Sequence, residues 1–126
     1  MKEKILIIED DEDLRKMYEE RFGKDGFETI TAADGETGTA LALEQRPSLI
    51  LLDLMLPQRG GLNVLKILKS WPSTQSIPVV VLTNYGREEY RMEALRDGAT
   101  YFLLKTDVTP MEVLARVKEI IGKKSQ

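Results

Sequence analysis

The sequence predicts an α/β fold in three layers, a doubly wound parallel sheet of five strands with helices on both faces. Short runs rich in Ile, Leu and Val alternate strictly with stretches of helical periodicity, giving five strand-plus-helix units. Such alternation indicates parallel strands joined by right-handed crossovers. Four of the strand segments also end in residues of related chemistry: Glu9-Asp10-Asp11, Asp53, Thr83 and Lys105. In a parallel sheet the carboxyl ends of the strands lie along one edge, so residues far apart in sequence meet in a single crevice.

The first strand covers residues 4–8, and the helix after it carries Leu14, Met17, Tyr18 and Phe22 on one face before Gly23 ends it. Residues 27–31 mix apolar and polar side chains, which suits a strand covered less completely and places it at an edge. The second helix runs from about residue 35 to 45. Residues 48–52, 77–82 and 100–104 are apolar runs of the kind buried on both faces of a sheet. Between them, Leu62, Leu65 and Leu68 mark a third helix closed by Trp71-Pro72, and a fourth extends from about residue 87 to 97, stopping at Gly98. The fifth helix has a reciprocal capping signal, with Thr109 as cap, Pro110 in the first helical position and Glu112 reaching back. Its apolar stripe is Val113, Leu114, Val117, Ile120 and Ile121.

At 126 residues the chain fits one domain, 1–126, able to bury a core without disulfides or structural metals. Cysteine and histidine are both absent, so thiolate chemistry, Ser-His and Cys-His nucleophiles and imidazole metal sites are excluded. Carboxylates, hydroxyls and amines remain. The formal charge of −3 comes without a Lys/Arg stripe, which argues against direct nucleic-acid binding. The apolar run after Lys4 stops at Ile8, too short for a signal peptide or a membrane span, so no membrane association and a cytoplasmic location are expected. The chain stops just past the fifth helix, and no output domain is expected.

The acids Glu9-Asp10-Asp11 stand where a helix begins, and an Asp there caps the backbone and favours the dipole. Capping needs one acid, however, and Asp53 ends another buried strand, where a lone carboxylate is costly. A divalent cation relieves the repulsion. Mg²⁺ takes oxygen ligands, often one or two carboxylates with waters and phosphate oxygens, and Asp10 and Asp53 can supply the carboxylates. Lys105 either points its ammonium into water or reaches the acids to pair with Asp53 and later hold a phosphoryl oxygen. Thr83 is also readable as a β-branched residue finishing a strand.

Ile-Ile-Glu9-Asp10-Asp11, Leu51-Leu52-Asp53-Leu54-Met55-Leu56-Pro57 with Gly61, Leu82-Thr83 and Leu104-Lys105 together resemble the receiver domain of two-component response regulators, across essentially the whole chain. The resemblance implies a flavodoxin-like (βα)5 sheet of order 2-1-3-4-5 and a phosphoacceptor switch rather than an enzyme with its own substrate. It implies that Asp53 takes a phosphoryl group from the phosphohistidine of a histidine kinase or a histidine phosphotransfer protein. Mg²⁺ would be bound by Asp10, Asp53 and the backbone carbonyl of Met55, with Glu9 acting through a metal-bound water. Thr83 would hydrogen-bond the phosphoryl group, Lys105 would pair with it, and Phe102 falls at the switch aromatic, beside Tyr101. A core aromatic is the alternative reading of Phe102. Output would pass by protein contact through the face made by the fourth helix, fifth strand and fifth helix, to a downstream protein the sequence does not identify. A monomer at rest that can dimerise through this face on phosphorylation is the family-level expectation.

Several positions depart from the family pattern. Thr106 follows Lys105 where proline is common, and a trans peptide is expected there because a cis bond before a non-proline residue costs about 2.5–4 kcal/mol. Asn84 replaces a small residue. Met55 and Tyr85 flank the path of attacking water, and their bulk points to slow hydrolysis. Asp11 is a third acid readable as an N-cap only. Trp71 is expected at the opposite end of the sheet from the pocket. Three rival readings fit less well, one of them a binding module that keeps the fold without being phosphorylated, against which the intact acids, Thr83 and Lys105 argue. A haloacid dehalogenase-type phosphohydrolase needs an acid two residues after its nucleophile, where this chain has Met55. A flavin phosphate site would be repelled by the acids after the first strand.

Overall fold

The structure, a computed structural model, describes residues 2–56, 60–84 and 86–125. Five parallel strands, β1 (Lys4–Ile8), β2 (Glu28–Ala32), β3 (Leu49–Leu52), β4 (Val79–Thr83) and β5 (Tyr101–Leu104), form one sheet in the order β2-β1-β3-β4-β5. The helices are α1 (Glu12–Lys24), α2 (Gly35–Gln45), α3 (Gly61–Ser70), α4 (Glu88–Arg96) and α5 (Pro110–Ser125). The predicted architecture, strand order and edge position of β2 are all present.

Strand alternation sends successive side chains to opposite faces, and two cores result. Leu6, Ile8, Ile50, Leu52, Val79 and Val81 pack with Ala42, Val64, Leu65, Leu68 and Ala94 of α2, α3 and α4. Ile5, Ile7, Leu49, Leu51, Val80 and Leu82 pack with Tyr18 and Phe22 of α1 and Val113, Leu114, Val117 and Ile121 of α5. Because β1 and β3 are covered on both sides, their sequences are unbroken apolar runs.

Local chemistry sets the helix ends. Asp11 caps α1 by accepting from the Leu14 N–H at 3.0 Å, and Asp34 caps α2 by accepting from Thr37 at 2.8 Å. At α5 the Thr109 N–H donates to Glu112 at 2.9 Å while the Glu112 N–H donates to the Thr109 hydroxyl oxygen at 3.2 Å, the reciprocal box expected from sequence. Gly23 does not end α1. The helix runs through it to Lys24, and Gly26, with φ of 94°, makes the left-handed turn that releases the chain into β2.

Two strand expectations are corrected. β5 lies at the edge that the expected strand order gives it, but its four residues are half-buried rather than fully covered as the apolar run suggested, with no further strand pairing beyond it among the described residues. β4 begins at Val79 rather than at 77: Ile77 belongs to the preceding turn, bonding to the Thr74 carbonyl at 3.0 Å, and Pro78 has no N–H to donate. Trp71 caps the far end of α3, at the opposite end of the sheet from the residues that follow the strands, as expected. Among the described residues, no helix is long and apolar enough to cross a membrane.

The start of α3 lies against the end of β3. The Gly61 N–H donates to the Leu54 carbonyl at 2.8 Å, and a Cβ on Gly61 would stand 2.3 Å from Leu54 Cα and 2.5 Å from the Asp53 carbonyl oxygen. Backbone on both sides leaves no soft partner to yield. Gly61→Ala is expected to destabilise the fold by about 1–3 kcal/mol, the usual cost of overpacking, in urea unfolding followed by Trp71 fluorescence.

Candidate functional site

The backbone ladder continues past the strand ends and ties the chemical residues together. The Glu9 N–H donates to the Ala32 carbonyl at 3.0 Å, the Asp53 N–H to Ile8 at 3.1 Å and the Lys105 N–H to Thr83 at 2.9 Å. Glu9 and Asp53 are each only 5% exposed and Thr83 is fully buried, whereas Asp10 is exposed. One carboxylate oxygen from each of Glu9, Asp10 and Asp53 lies within 4.8 Å of the others. The acids predicted to share a crevice do so, with Asp11 turned away to its capping role.

Lys105 closes the cluster. Its ammonium donates to Glu9 Oε1 at 2.7 Å and to Asp53 Oδ2 at 2.9 Å, and its side chain is 12% exposed, so it does not reach out to water. No cis peptide occurs among the described residues, so the Lys105–Thr106 bond is trans and the lysine finds both carboxylates without a proline after it. The second oxygen of Asp53 accepts from the Met55 N–H at 3.0 Å, and the second oxygen of Glu9 accepts from the Asp11 N–H at 3.1 Å. The Met55 side chain is 51% exposed and Asn84 is exposed. Pro57 of the matching segment and Tyr85 lie outside the described residues. Phe102 is half-buried against the core shared with α3 and α4 and lines a surface groove of about 300 Å³ with Gly86, Glu88 and Arg91.

The electrostatics record the crowding. Burial pushes the Glu9 carboxyl from 4.5 up to about 7, against the opposing hydrogen bonds from Lys105 and the Asp11 amide, with the Asp53 charge adding to the rise. Burial also works against the Lys105 ammonium, but its hydrogen bonds to Glu9 and Asp53 and their charges outweigh it and hold its pKa above the ordinary lysine value. Three oxygen-donor acids in reach of one another, one of them reluctant to ionise, fit a hard divalent cation.

Two further contributors act on the backbone around the acids; Gly61 was expected from its place in the matching segment, whereas Arg15 carries no sequence signature of its own. Gly61 is needed because a backbone passes where its side chain would be, and Arg15 reaches back six residues to the Glu9 carbonyl at 2.9 Å. The only hint of the second is a cation one turn into the helix that follows the acids.

Between pH 4.5 and about 7 the folded state holds a proton on Glu9 that the unfolded state has released, so this carboxyl lowers stability as the pH rises through that window. In EDTA, urea unfolding should show wild type losing stability relative to Glu9→Gln across this range. Parallel curves for the two proteins would remove Glu9 as the source.

Comparison with known proteins gives the arrangement its context. The response regulator receiver domain family matches residues 5–118. The chain is 38% identical over 121 residues to the phosphate regulon transcriptional regulatory protein PhoB of Klebsiella pneumoniae, covering 96% of this chain and 52% of that protein. It thus spans about half the length of this curated relative. Among solved structures it is similar to a putative response regulator from Chloroflexus aurantiacus, with TM-score 0.89, 28% identity and coverage of 97% of this chain and 99% of that one. It is similar also to the chemotaxis protein CheY4 of Vibrio cholerae, with TM-score 0.88, 27% identity and coverage of 95% and 99%. The chain belongs to the response regulator receiver domain family, the phosphoacceptor domains of two-component signalling.

Proposed function

We propose that Asp53 is the phosphoacceptor, and that it takes its phosphoryl group from a phosphohistidine on a histidine kinase or a histidine phosphotransfer protein. The observation that carries this reading is the Lys105 ammonium held between Glu9 and Asp53, in a cluster that also contains Asp10. A carboxylate attacks phosphorus only where the repulsion between two anions is screened. Asp10, Asp53 and the Met55 carbonyl, with Glu9 through a water, would hold Mg²⁺, which supplies charge neutralisation when bound.

In the transfer an Asp53 oxygen forms the new P–O bond as the P–N bond of the phosphohistidine breaks. The departing imidazole keeps the electron pair and takes a proton from water. Lys105, already 2.9 Å from Asp53 Oδ2, needs only a small adjustment to pair with a phosphoryl oxygen. The Met55 N–H stays on the acyl side of the group. Positioning and charge account for most of the catalysis, as in other phosphoryl transfers. Two residues past Asp53, Met55 offers no acid or base for turnover of a separate substrate, which supports a switch rather than an enzyme. Its exposed apolar side chain also favours slow loss of the phosphoryl group.

Thr83, at the end of β4, would follow the phosphoryl group inward and carry the following loop with it, and Phe102 would move into the space released. That exchange alters the face made by α4, β5 and α5, through which a downstream protein would read the state, either as a monomer or after dimerisation. The cytoplasm is the compartment this reading assigns, and a chain without cysteine suits it.

Intact mass after incubation with acetyl phosphate tests the core of the proposal. A single Mg²⁺-dependent phosphoryl adduct that maps to the Asp53 peptide and is lost in Asp53→Asn is expected. No adduct, together with no binding of beryllofluoride, would make this domain a phosphorylation-independent interaction module.

A further inference from the structure

Arg15 lies in the second turn of α1, half-buried, and its guanidinium turns back over the loop that carries the acids. Nη1 donates to the Glu9 carbonyl at 2.9 Å and approaches the Asp10 carbonyl at 3.5 Å. These two carbonyls belong to the peptide planes on either side of Asp10 Cα. Holding both planes fixes the backbone dihedrals of Asp10, and with them the direction in which its side chain leaves the loop.

Asp10 is the acid in need of such help. Glu9 is held by Lys105 and the Asp11 amide, and Asp53 by Lys105 and the Met55 amide. The Asp10 carboxylate is exposed and has no hydrogen-bond or ion-pair partner among the described residues, yet one of its oxygens lies within 4.8 Å of those of Glu9 and Asp53. The capping bond from Leu14 to Asp11 does not touch these planes, and the plane after Asp10 is held in addition by its Asp11 N–H, which donates to Glu9 at 3.1 Å, so the plane before Asp10 is where the 2.9 Å bond from Arg15 matters most. A guanidinium suits the task because Nη1 carries two N–H groups, one for each carbonyl, at the end of a long side chain whose charge is permanent.

We propose that Arg15 is a positioning residue for the divalent-cation site, clamping the backbone on both sides of Asp10 so that its carboxylate faces Glu9 and Asp53. The inference rests on the metal reading given above. It is not an electrostatic attraction, since a cationic side chain beside a cation site repels the ion. The two effects have opposite signs. Loss of positioning weakens Mg²⁺ binding, whereas loss of repulsion strengthens it.

The experiment is a Mg²⁺ titration of wild type, Arg15→Met, Arg15→Lys and Asp10→Asn, read by calorimetry and by the rise in unfolding midpoint with Mg²⁺. Arg15→Met is expected to need on the order of tenfold more Mg²⁺ than wild type, the usual cost of removing a residue that orients a metal ligand. Its midpoint in EDTA should stay close to that of wild type, and Arg15→Lys, which keeps the charge but is one bond too short to place its nitrogen where Nη1 stands, should be weakened too. Equal or tighter binding by Arg15→Met would overturn the inference while leaving the metal site in place. A wild type that ignores Mg²⁺ as completely as Asp10→Asn would remove the metal site and the inference together. Should Arg15→Met fail to fold, Arg15→Lys carries the same comparison, with binding equal to wild type as the overturning result.

Discussion

The placement of one ammonium among several carboxylates is the constraint on which this structure depends. Glu9 and Asp53 are buried at the ends of adjacent strands, and neither could hold its charge there alone. Lys105 comes from β5, two strands away from β3 and three from β1. With strands spaced about 4.8 Å apart, roughly 10 Å separates the β5 and β3 strands. A long unbranched side chain and the shorter one of Asp53 close this gap between them, provided the residue on the intervening strand is small. Thr83, which ends the intervening strand, meets that need. The strand order and the identities of three residues are therefore parts of a single requirement.

The same arrangement would let the site take two forms under the proposed phosphorylation. Without a phosphoryl group, each oxygen of Glu9 and Asp53 has a hydrogen-bond donor, although the single ammonium leaves the three-acid cluster with net negative charge. On the proposed function, a phosphoryl group on Asp53 would remove one of those acceptors and offer others farther out, and Lys105 and Thr83 would redistribute accordingly. The response would be local in chemistry, but it would spread because Thr83 ends β4 and Lys105 follows β5, strands flanked by α4 and α5. Exposed Met92 and Leu95 on α4 give that face apolar surface available to a partner.

Much of this was readable in the sequence because the signals were local or periodic. Strand alternation needs only the spacing of apolar residues, and the Thr109–Glu112 box needs four adjacent positions. Convergence at one sheet edge followed from parallel topology, which brings Asp53 beside Glu9 without any sequence motif linking them. What escaped depended on three-dimensional neighbours. The run at β5 is as apolar as that at β3, yet it lies at an edge and is only half covered. Gly23 and Gly26 are equally permissive in sequence, and it is the structure that places the left-handed turn at Gly26 while α1 runs on to Lys24. The reach of Arg15 to backbone carbonyls leaves no trace in side-chain chemistry, because every residue has a carbonyl.

The two helices that flank the site on the α2–α4 side are unequally anchored. α3 buries Val64, Leu65 and Leu68 completely, whereas α4 buries only Ala94 to that degree and keeps most of its surface toward solvent. An element with so little apolar area to lose opens locally at a small fraction of the global unfolding cost. Its amide protons would exchange with solvent well before those of β1 or β3. Within the face that the proposed switch would reshape, α4 is thus more weakly anchored than its neighbour α3, and it could be remodelled while the two cores stay closed.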